Sequence, residues 1–194
     1  MKTIGVLAFQ GDVREHLAAV EASGAKAVEV RTEAELAHID GLILPGGEST
    51  TISKLARIFD LFDPIKATIA SGLPTFGTCA GLILLADRIL DGIDGQETFG
   101  GLDVTVRRNA FGHQTESFET DLAFKGISGP DLIAAFIRAP IIEKVGPEAE
   151  VLATLKSGAV VGVRQKSILG ISFHPEVTDE FRVHRYFIDS MVSA

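Results

Sequence analysis

The most constraining feature of this chain is a rhythm. In its first half, short continuous apolar runs alternate with stretches of helical spacing. Thr3–Phe9, rich in Ile, Val and Leu and bounded by Gln10-Gly11, reads as a buried strand. Asp12–Ser23 follows with Val13, Leu17 and Val20 on one helical face and Gly24 at the stop position. Then come a strand at Ala27–Val30, a short helix opened by the capping box Thr32-Glu33-Ala34-Glu35, a strand at Gly41–Leu44 and a helix at Ile52–Phe59. Asp63-Pro64, a capping residue before proline at the first helical position, opens the next helix and Gly72 closes it. Strand Leu73–Gly77 and the helical run Ala80–Leu85 complete the series. Continuous apolar strands joined through helices imply parallel pairing with helices packed on both faces.

After about Gly95 the pattern changes. Val104–Arg107, Ala134–Ile137, Val151–Leu155, Val160–Val163 and Leu169–Phe173 read as short strands with turns between them, an antiparallel or mixed extension of the same sheet. A last helix, Asp179–Val192, has Phe181, His184 or Arg185, and Ile188 at helical spacing. The expected fold is α/β: a three-layer, open, mixed but mostly parallel sheet with helices on both faces. No repeat, low-complexity linker or charge block divides the 194 residues, and 46% of them are hydrophobic, so a single domain over 1–194 is expected. The balance of 18 basic against 26 acidic residues, net −8, argues against a nucleic-acid or anionic-membrane face. The run Ile4–Phe9 is too short for a signal sequence, and no stretch approaches the roughly 18 to 20 apolar residues of a membrane span. The expected compartment is the cytoplasm.

The chain has one cysteine, which excludes an internal disulfide and a cysteine-rich zinc module. Cys79 lies in Phe76-Gly77-Thr78-Cys79-Ala80-Gly81, between an expected strand and an expected helix. That is the spacing of a nucleophile elbow with sulfur in place of oxygen. Small residues at 77 and 81 permit the tight turn, and the helix start favours a thiolate. The amide of Ala80 would point toward a developing oxyanion. The competing reading is a small buried hydrophobe, and catalysis still requires a base.

His174-Pro175-Glu176 follows the apolar run Ile168–Phe173, again at a strand end. Residues two apart in extended chain face the same way, so imidazole and carboxylate can lie side by side. A carboxylate on one ring nitrogen fixes the tautomer and leaves the other nitrogen to take the thiol proton. A surface turn without function is the alternative. His16, His38 and His184 fall in helical patterns, where solvated or partly packed positions are the default, and His113 stands in an expected loop. No His/Asp/Glu set has metal-ligand spacing, so neither a metal nor a cofactor is expected.

Leu42-Ile43-Leu44-Pro45-Gly46-Gly47-Glu48-Ser49-Thr50 runs from a strand into a glycine pair and a hydroxyl-rich helix start. Gly47 could turn an amide toward a ligand as a second oxyanion donor, each such donor being worth about 3 to 4 kcal/mol in a transition state. A plain turn or a phosphate loop competes, although no Gly-Lys-Ser/Thr follows and a Walker loop is excluded. Arg107-Arg108-Asn109 and Phe136-Ile137-Arg138-Ala139-Pro140 bring cations near expected strand ends. Arginine suits carboxylate recognition, but most surface arginines are simply solvated.

Taken together, Pro45-Gly46-Gly47-Glu48-Ser49-Thr50-Thr51, Gly77-Thr78-Cys79-Ala80-Gly81 and His174-Pro175-Glu176 resemble a class I triad glutamine amidotransferase. More narrowly, the chain resembles the glutaminase subunits of two-component pyridoxal 5′-phosphate synthases. The narrower likeness rests on Gly5–Gly11, Val13-Arg14-Glu15-His16, Arg108-Asn109-Ala110-Phe111-Gly112, Ser117-Phe118-Glu119 and Ile137-Arg138-Ala139-Pro140. It runs from the first strand to the last helix. The resemblance implies that Cys79 is the nucleophile, His174 the general base and acid, and Glu176 its orienting carboxylate. It implies that Gly47 and Ala80 form the oxyanion site, and that Gly47, Glu48, Ser49, Arg108, Ile137 and Arg138 bind L-glutamine. It further implies an ammonia-using synthase subunit as partner in a hetero-oligomer, with weak activity until that partner docks. His113 stands where the family pattern leads one to expect arginine. Gln10–His16 is the expected part of the docking surface. Two other classes compete: a free-standing cysteine hydrolase or chaperone-like protein on the same elbow fold, and a binding module with a degenerate site.

Overall fold

Parallel pairing dominates the half of the sheet that the apolar runs come from. The computed structural model describes residues 1–108 and 117–192. Its first half contains β1 (Thr3–Leu7), α1 (Val13–Ala22), β2 (Lys26–Val30), α2 (Glu33–Leu36), β3 (Gly41–Leu44), α3 (Ser49–Ile58), α4 (Phe62–Ala70), β4 (Thr75–Thr78) and α5 (Ala80–Leu85). The second contains β5 (Ala86–Leu90), β6 (Leu102–Arg107), β7 (Phe118–Leu122), β8 (Leu132–Phe136), β9 (Ile141–Val145), β10 (Glu150–Thr154), β11 (Val160–Gln165), β12 (Ile168–Ile171) and α6 (Arg182–Ser190). Ten strands form one sheet in the order β2-β1-β3-β4-β12-β11-β9-β6-β5, with β10 also on β11. From β2 to β12 every pairing is parallel. Beyond β12 the pairings to β11, β9 and β6 are antiparallel, and β5 joins β6 in parallel.

Both faces of the parallel half are covered, which is why strands such as β3 read as unbroken apolar runs. In β3, Leu42 and Leu44 enter a core with Ile52, Phe62 and Leu82 of α3, α4 and α5. Ile43, between them, enters the opposite core with Ile4, Phe76, Ile171 and Phe187, closed by α1 and α6. Burying each such aliphatic or aromatic side chain contributes about 1.5–3 kcal/mol. Among the described residues, no helix is long and apolar enough to cross a membrane.

Several expectations shift. The mixed extension exists, but β8 leaves it and pairs only with β7 in a separate two-stranded sheet. Strands β5, β7 and β9, absent from the sequence reading, are present. Asp63 does not cap its helix: α4 starts at Phe62, with Leu61 at the capping position and Asp63 paired to Arg57 at 2.8 Å. Phe62 is buried against Phe99, and Pro64 still sits in the first turn, where its missing N–H costs nothing. The last helix spans only Arg182–Ser190. The largest departure concerns His16 and His184, expected on solvated or partly packed positions and found with no exposed surface. His16 therefore presents no surface for docking. Asn109, His113 and the rest of 109–116 lie outside the described residues, and so do the expectations placed on them.

Candidate active site

The nucleophile position is a forced turn. Cys79 joins β4 to α5 with φ 48° and ψ −101°, outside the comfortable regions for a side chain with a Cβ. Such conformations cost about 1–3 kcal/mol and persist only where the surroundings over-determine them. Here the Cys79 N–H donates to Ile171 O at 2.9 Å, and its carbonyl accepts from Ile83 N at 3.2 Å. Tight packing does the rest: a Cβ on Gly81 would lie 2.1 Å from Leu44 O, and one on Gly77 2.5 Å from Gly81 C. Any larger side chain at 77 or 81 would push α5 off the sheet. Sγ reaches Ile137 O at 4.0 Å, and Cys79 is 7% exposed and lines a pocket.

β12, beside β4, delivers the histidine. Its chain continues through Phe173 to His174, whose N–H donates to Ala135 O of β8 at 2.9 Å. The ring Nδ1 lies 2.8 Å from Glu176 Oε1 and 3.2 Å from Asp12 Oδ2. Carboxylates only accept, so the proton sits on Nδ1 and Nε2 is the nitrogen left to engage Cys79. Burial works against a charged ring, yet hydrogen bonds to Asp12, Cys79 and Glu176 outweigh it and hold the His174 pKa up at about 12. Glu176 is buried behind the ring, and burial raises its pKa against the pull of His174. The ligand-type atoms of Asp12, His174 and Glu176 lie within 4.8 Å of one another. Their protonation pattern suits a shared N–H more than a cation, because His174 Nδ1 is engaged as a donor.

The third wall is the loop after β3. Gly46 O accepts from Asp12 N at 3.2 Å, and the Glu48 N–H donates to Gln10 Oε1 at 2.8 Å. A Cβ on Gly46 would fall 2.4 Å from His174 Cε1, so only glycine lets the loop run against the imidazole. Glu48 caps α3, its Oε1 accepting from the Thr50 hydroxyl at 3.0 Å, and the same oxygen accepts from Arg108 Nη2 at 2.9 Å. Arg108 Nη1 donates to Gln96 Oε1 at 2.8 Å, while Gln96 Nε2 donates to Ser49 Oγ at 3.0 Å.

These walls enclose a cavity of about 270 Å³. Of the residues expected from sequence, Cys79, His174, Gly47, Glu48, Ser49, Arg108, Ile137 and Arg138 all line it. Glu176 stands behind His174, and Ala80 opens α5 beside Cys79 with its N–H lacking an intrahelical acceptor. Gln10, Asp12 and Ile83 also line the cavity, and Gln96 braces it, none of them expected in a site role. A signal existed for Gln10 and Asp12: they leave the carboxyl end of a parallel strand, the edge where open α/β sheets gather their ligands. Gln96 carried none.

Known proteins resemble this chain along nearly its whole length. Residues 6–193 match the SNO glutamine amidotransferase family. The chain is 60% identical over 193 residues to a "pyridoxal 5'-phosphate synthase subunit PdxT" from Kineococcus radiotolerans, covering 96% of this chain and 93% of that relative. It is 59% identical over 186 residues to a protein of the same name from Parafrankia sp., covering 96% and 91%. A solved structure described as a glutamine amidotransferase superposes with a TM-score of 0.91 at 46% identity, over 98% of this chain and 99% of that one. An elbow cysteine, a buried His–Glu pair and a glycine-rich loop around one cavity thus occur in a chain that belongs to the SNO glutamine amidotransferase family.

Proposed function

We propose that this chain is the glutaminase subunit of a two-component pyridoxal 5′-phosphate synthase, releasing ammonia from L-glutamine through Cys79, His174 and Glu176. The observation that carries the reading is the placement of His174. Its Nδ1 is held at 2.8 Å by a buried carboxylate while the ring lines the same cavity as Cys79. A fixed tautomer leaves the other ring nitrogen to exchange a proton with the sulfur.

The reaction follows from the groups present. The Cys79 thiolate attacks the side-chain carbonyl of glutamine, and the amides of Gly47 and Ala80 receive the oxyanion. His174 gives its Nε2 proton to the departing ammonia, leaving a glutamyl thioester. It then takes a proton from water, which attacks the thioester and releases glutamate and the thiolate. Glu176 keeps the ring oriented through both steps. The zwitterionic end of glutamine matches the charged pair: Arg108 takes the α-carboxylate, Glu48 the α-ammonium, and Ser49, Ile137 and Arg138 complete the site. The relatives' shared name supports a synthase subunit as the recipient of ammonia. Docking of that partner sets the Gly46-Gly47 loop, so the isolated chain is a poor glutaminase. The whole chain acts as one domain, in the cytoplasm, where a reducing environment keeps the thiol reactive.

Ammonia release with and without the synthase subunit tests this. Cys79→Ala is expected to lower turnover by at least about 10³-fold, and unchanged release would sink the triad. Equal rates for the isolated chain and the mixture would remove the gating by the partner. A free-standing hydrolase predicts just that equality.

A further inference from the structure

Two buried imidazoles stand outside the reaction just described. His16 on α1 and His184 on α6 have no exposed surface. Burial holds both below the ordinary histidine value, with His184 at about 3, and His184 and His174 push His16 down further. Both rings are therefore neutral in the folded chain. His16 Nδ1 lies 2.9 Å from His184 Nε2, and His16 Nε2 lies 3.0 Å from Thr78 Oγ1 and 3.5 Å from Glu176 Oε1. The pair thus spans from α6 to the residue before the nucleophile and to the carboxylate behind the base.

The tautomers follow by elimination. If His16 carried its proton on Nδ1, His184 would accept it on Nε2 and hold its own proton on Nδ1. That atom is buried and has no hydrogen-bond partner, and an orphaned buried N–H is costly. His16 Nε2 would then accept from the Thr78 hydroxyl and offer no donor to Glu176 Oε1, 3.5 Å away. The reverse arrangement leaves His184 Nδ1 only an unpaired acceptor in place of an orphaned N–H, and turns a donor toward Glu176. His184 Nε2–H donates to His16 Nδ1, and His16 Nε2–H faces Thr78 Oγ1 and Glu176 Oε1.

We infer that His16, locked as the Nε2–H tautomer by His184, is a positioning residue that supports the Glu176 carboxylate from a second direction. The inference rests on the proposed triad. The contact falls on the oxygen that holds His174: Oε2 is buried without a partner, and Oε1 takes His174 at 2.8 Å and His16 at 3.5 Å. The titratable groups facing it are His174 from its own segment, Asp12 from the start of α1 and His16 from within α1. β4 presents the Thr78 hydroxyl, and α6 presents His184 only to His16. Loss of the His16 N–H leaves the carboxylate easier to protonate, so His174 loses its tether at higher pH.

The test is glutamine hydrolysis in the complex with the synthase subunit, followed from pH 5.5 to 9. His16→Leu is expected to lower kcat about tenfold at pH 7 and to move the acid limb upward by about one unit, with KM for glutamine unchanged. His16→Gln returns a donor near the Nε2 position and should recover most of the loss. An unmoved acid limb in His16→Leu, or equal defects in the Leu and Gln variants, overturns the role. Glu176→Gln in parallel separates the two readings: full turnover in that variant overturns the triad instead. Imidazole ¹⁵N spectra of the parent protein need no variant to fold. They should show His16 protonated on Nε2 alone at pH 7, and a proton on Nδ1 overturns the inference.

Discussion

The cavity has a dry wall and a wet one, and they are built on different physics. On the dry wall Glu176 and His174 are each 4% exposed, and their protonation is set by burial and by contacts with one another. On the wet wall Glu48 keeps 50% of its side chain in solvent and Arg108 12%; Arg108 donates to Glu48 and to Gln96. Low dielectric makes the first set strong and unforgiving, whereas water screens the second. The dry wall should therefore govern the rate of bond breaking, and the wet wall the choice of what enters.

Substitutions can break that division. Glu176→Gln keeps the shape but presents an amide to His174 Nδ1. Turnover should fall about 10²–10⁴-fold with KM nearly constant, as steady-state kinetics on the complex will read; a change mainly in KM would erase the distinction. Next in size, Arg108→Ala should raise KM for glutamine about 10- to 100-fold, the worth of one charge-assisted contact, and should leave kcat within a few-fold. Gln96→Ala frees Arg108 Nη1 and Ser49 Oγ without removing either, so a KM increase of only a few-fold is expected. If it matches Arg108→Ala instead, Gln96 itself contacts substrate.

A pH series sharpens the contrast from the side of stability. His16 and His184 have folded pKa values below the unfolded one, so their contribution is full above about pH 6.5 and is lost as pH falls toward the folded values. His184, with its folded value near 3, costs about 1.4 kcal/mol per pH unit in that window, or about 2 kcal/mol between pH 6.5 and 5, and His16 acts in the same direction. His174 behaves oppositely: its raised pKa gives stability present below pH 6.5 and lost only as pH climbs toward about 12. Glu176, also raised, offsets part of the acid loss by taking up its proton earlier in the folded state. Urea unfolding at pH 6.5 and 5 should show a loss about 2 kcal/mol smaller in His184→Leu than in the parent. Equal losses would mean that His184 is not held neutral.

How much of this was legible in the sequence divides along similar lines. The parallel half was readable because strands covered on both faces leave continuous apolar runs, as Gly41–Leu44 does. The elbow and His174-Pro175-Glu176 were readable because turn chemistry and two-residue spacing are local. Strands such as Ala86-Asp87-Arg88-Ile89-Leu90 and Phe118-Glu119-Thr120-Asp121-Leu122 were not. Their polar positions face solvent, and only pairing with a distant partner makes them strands. The burial of His16 and His184 was hidden for the same reason. Each looks like a surface position on its own helix, until α1 and α6 close on one face of the sheet, 168 residues apart in sequence. Gln96 was invisible because its partners, Ser49 and Arg108, come from other segments.

The positive-φ turn at Cys79 places the chain's one sulfhydryl in the wall of the cavity. No second thiol competes for a reagent, so alkylation with iodoacetamide, itself a small amide, counts functional sites directly in a preparation. Glutamine should protect in proportion to occupancy, which turns mass spectrometry of the intact chain into a binding assay that needs no turnover and no label.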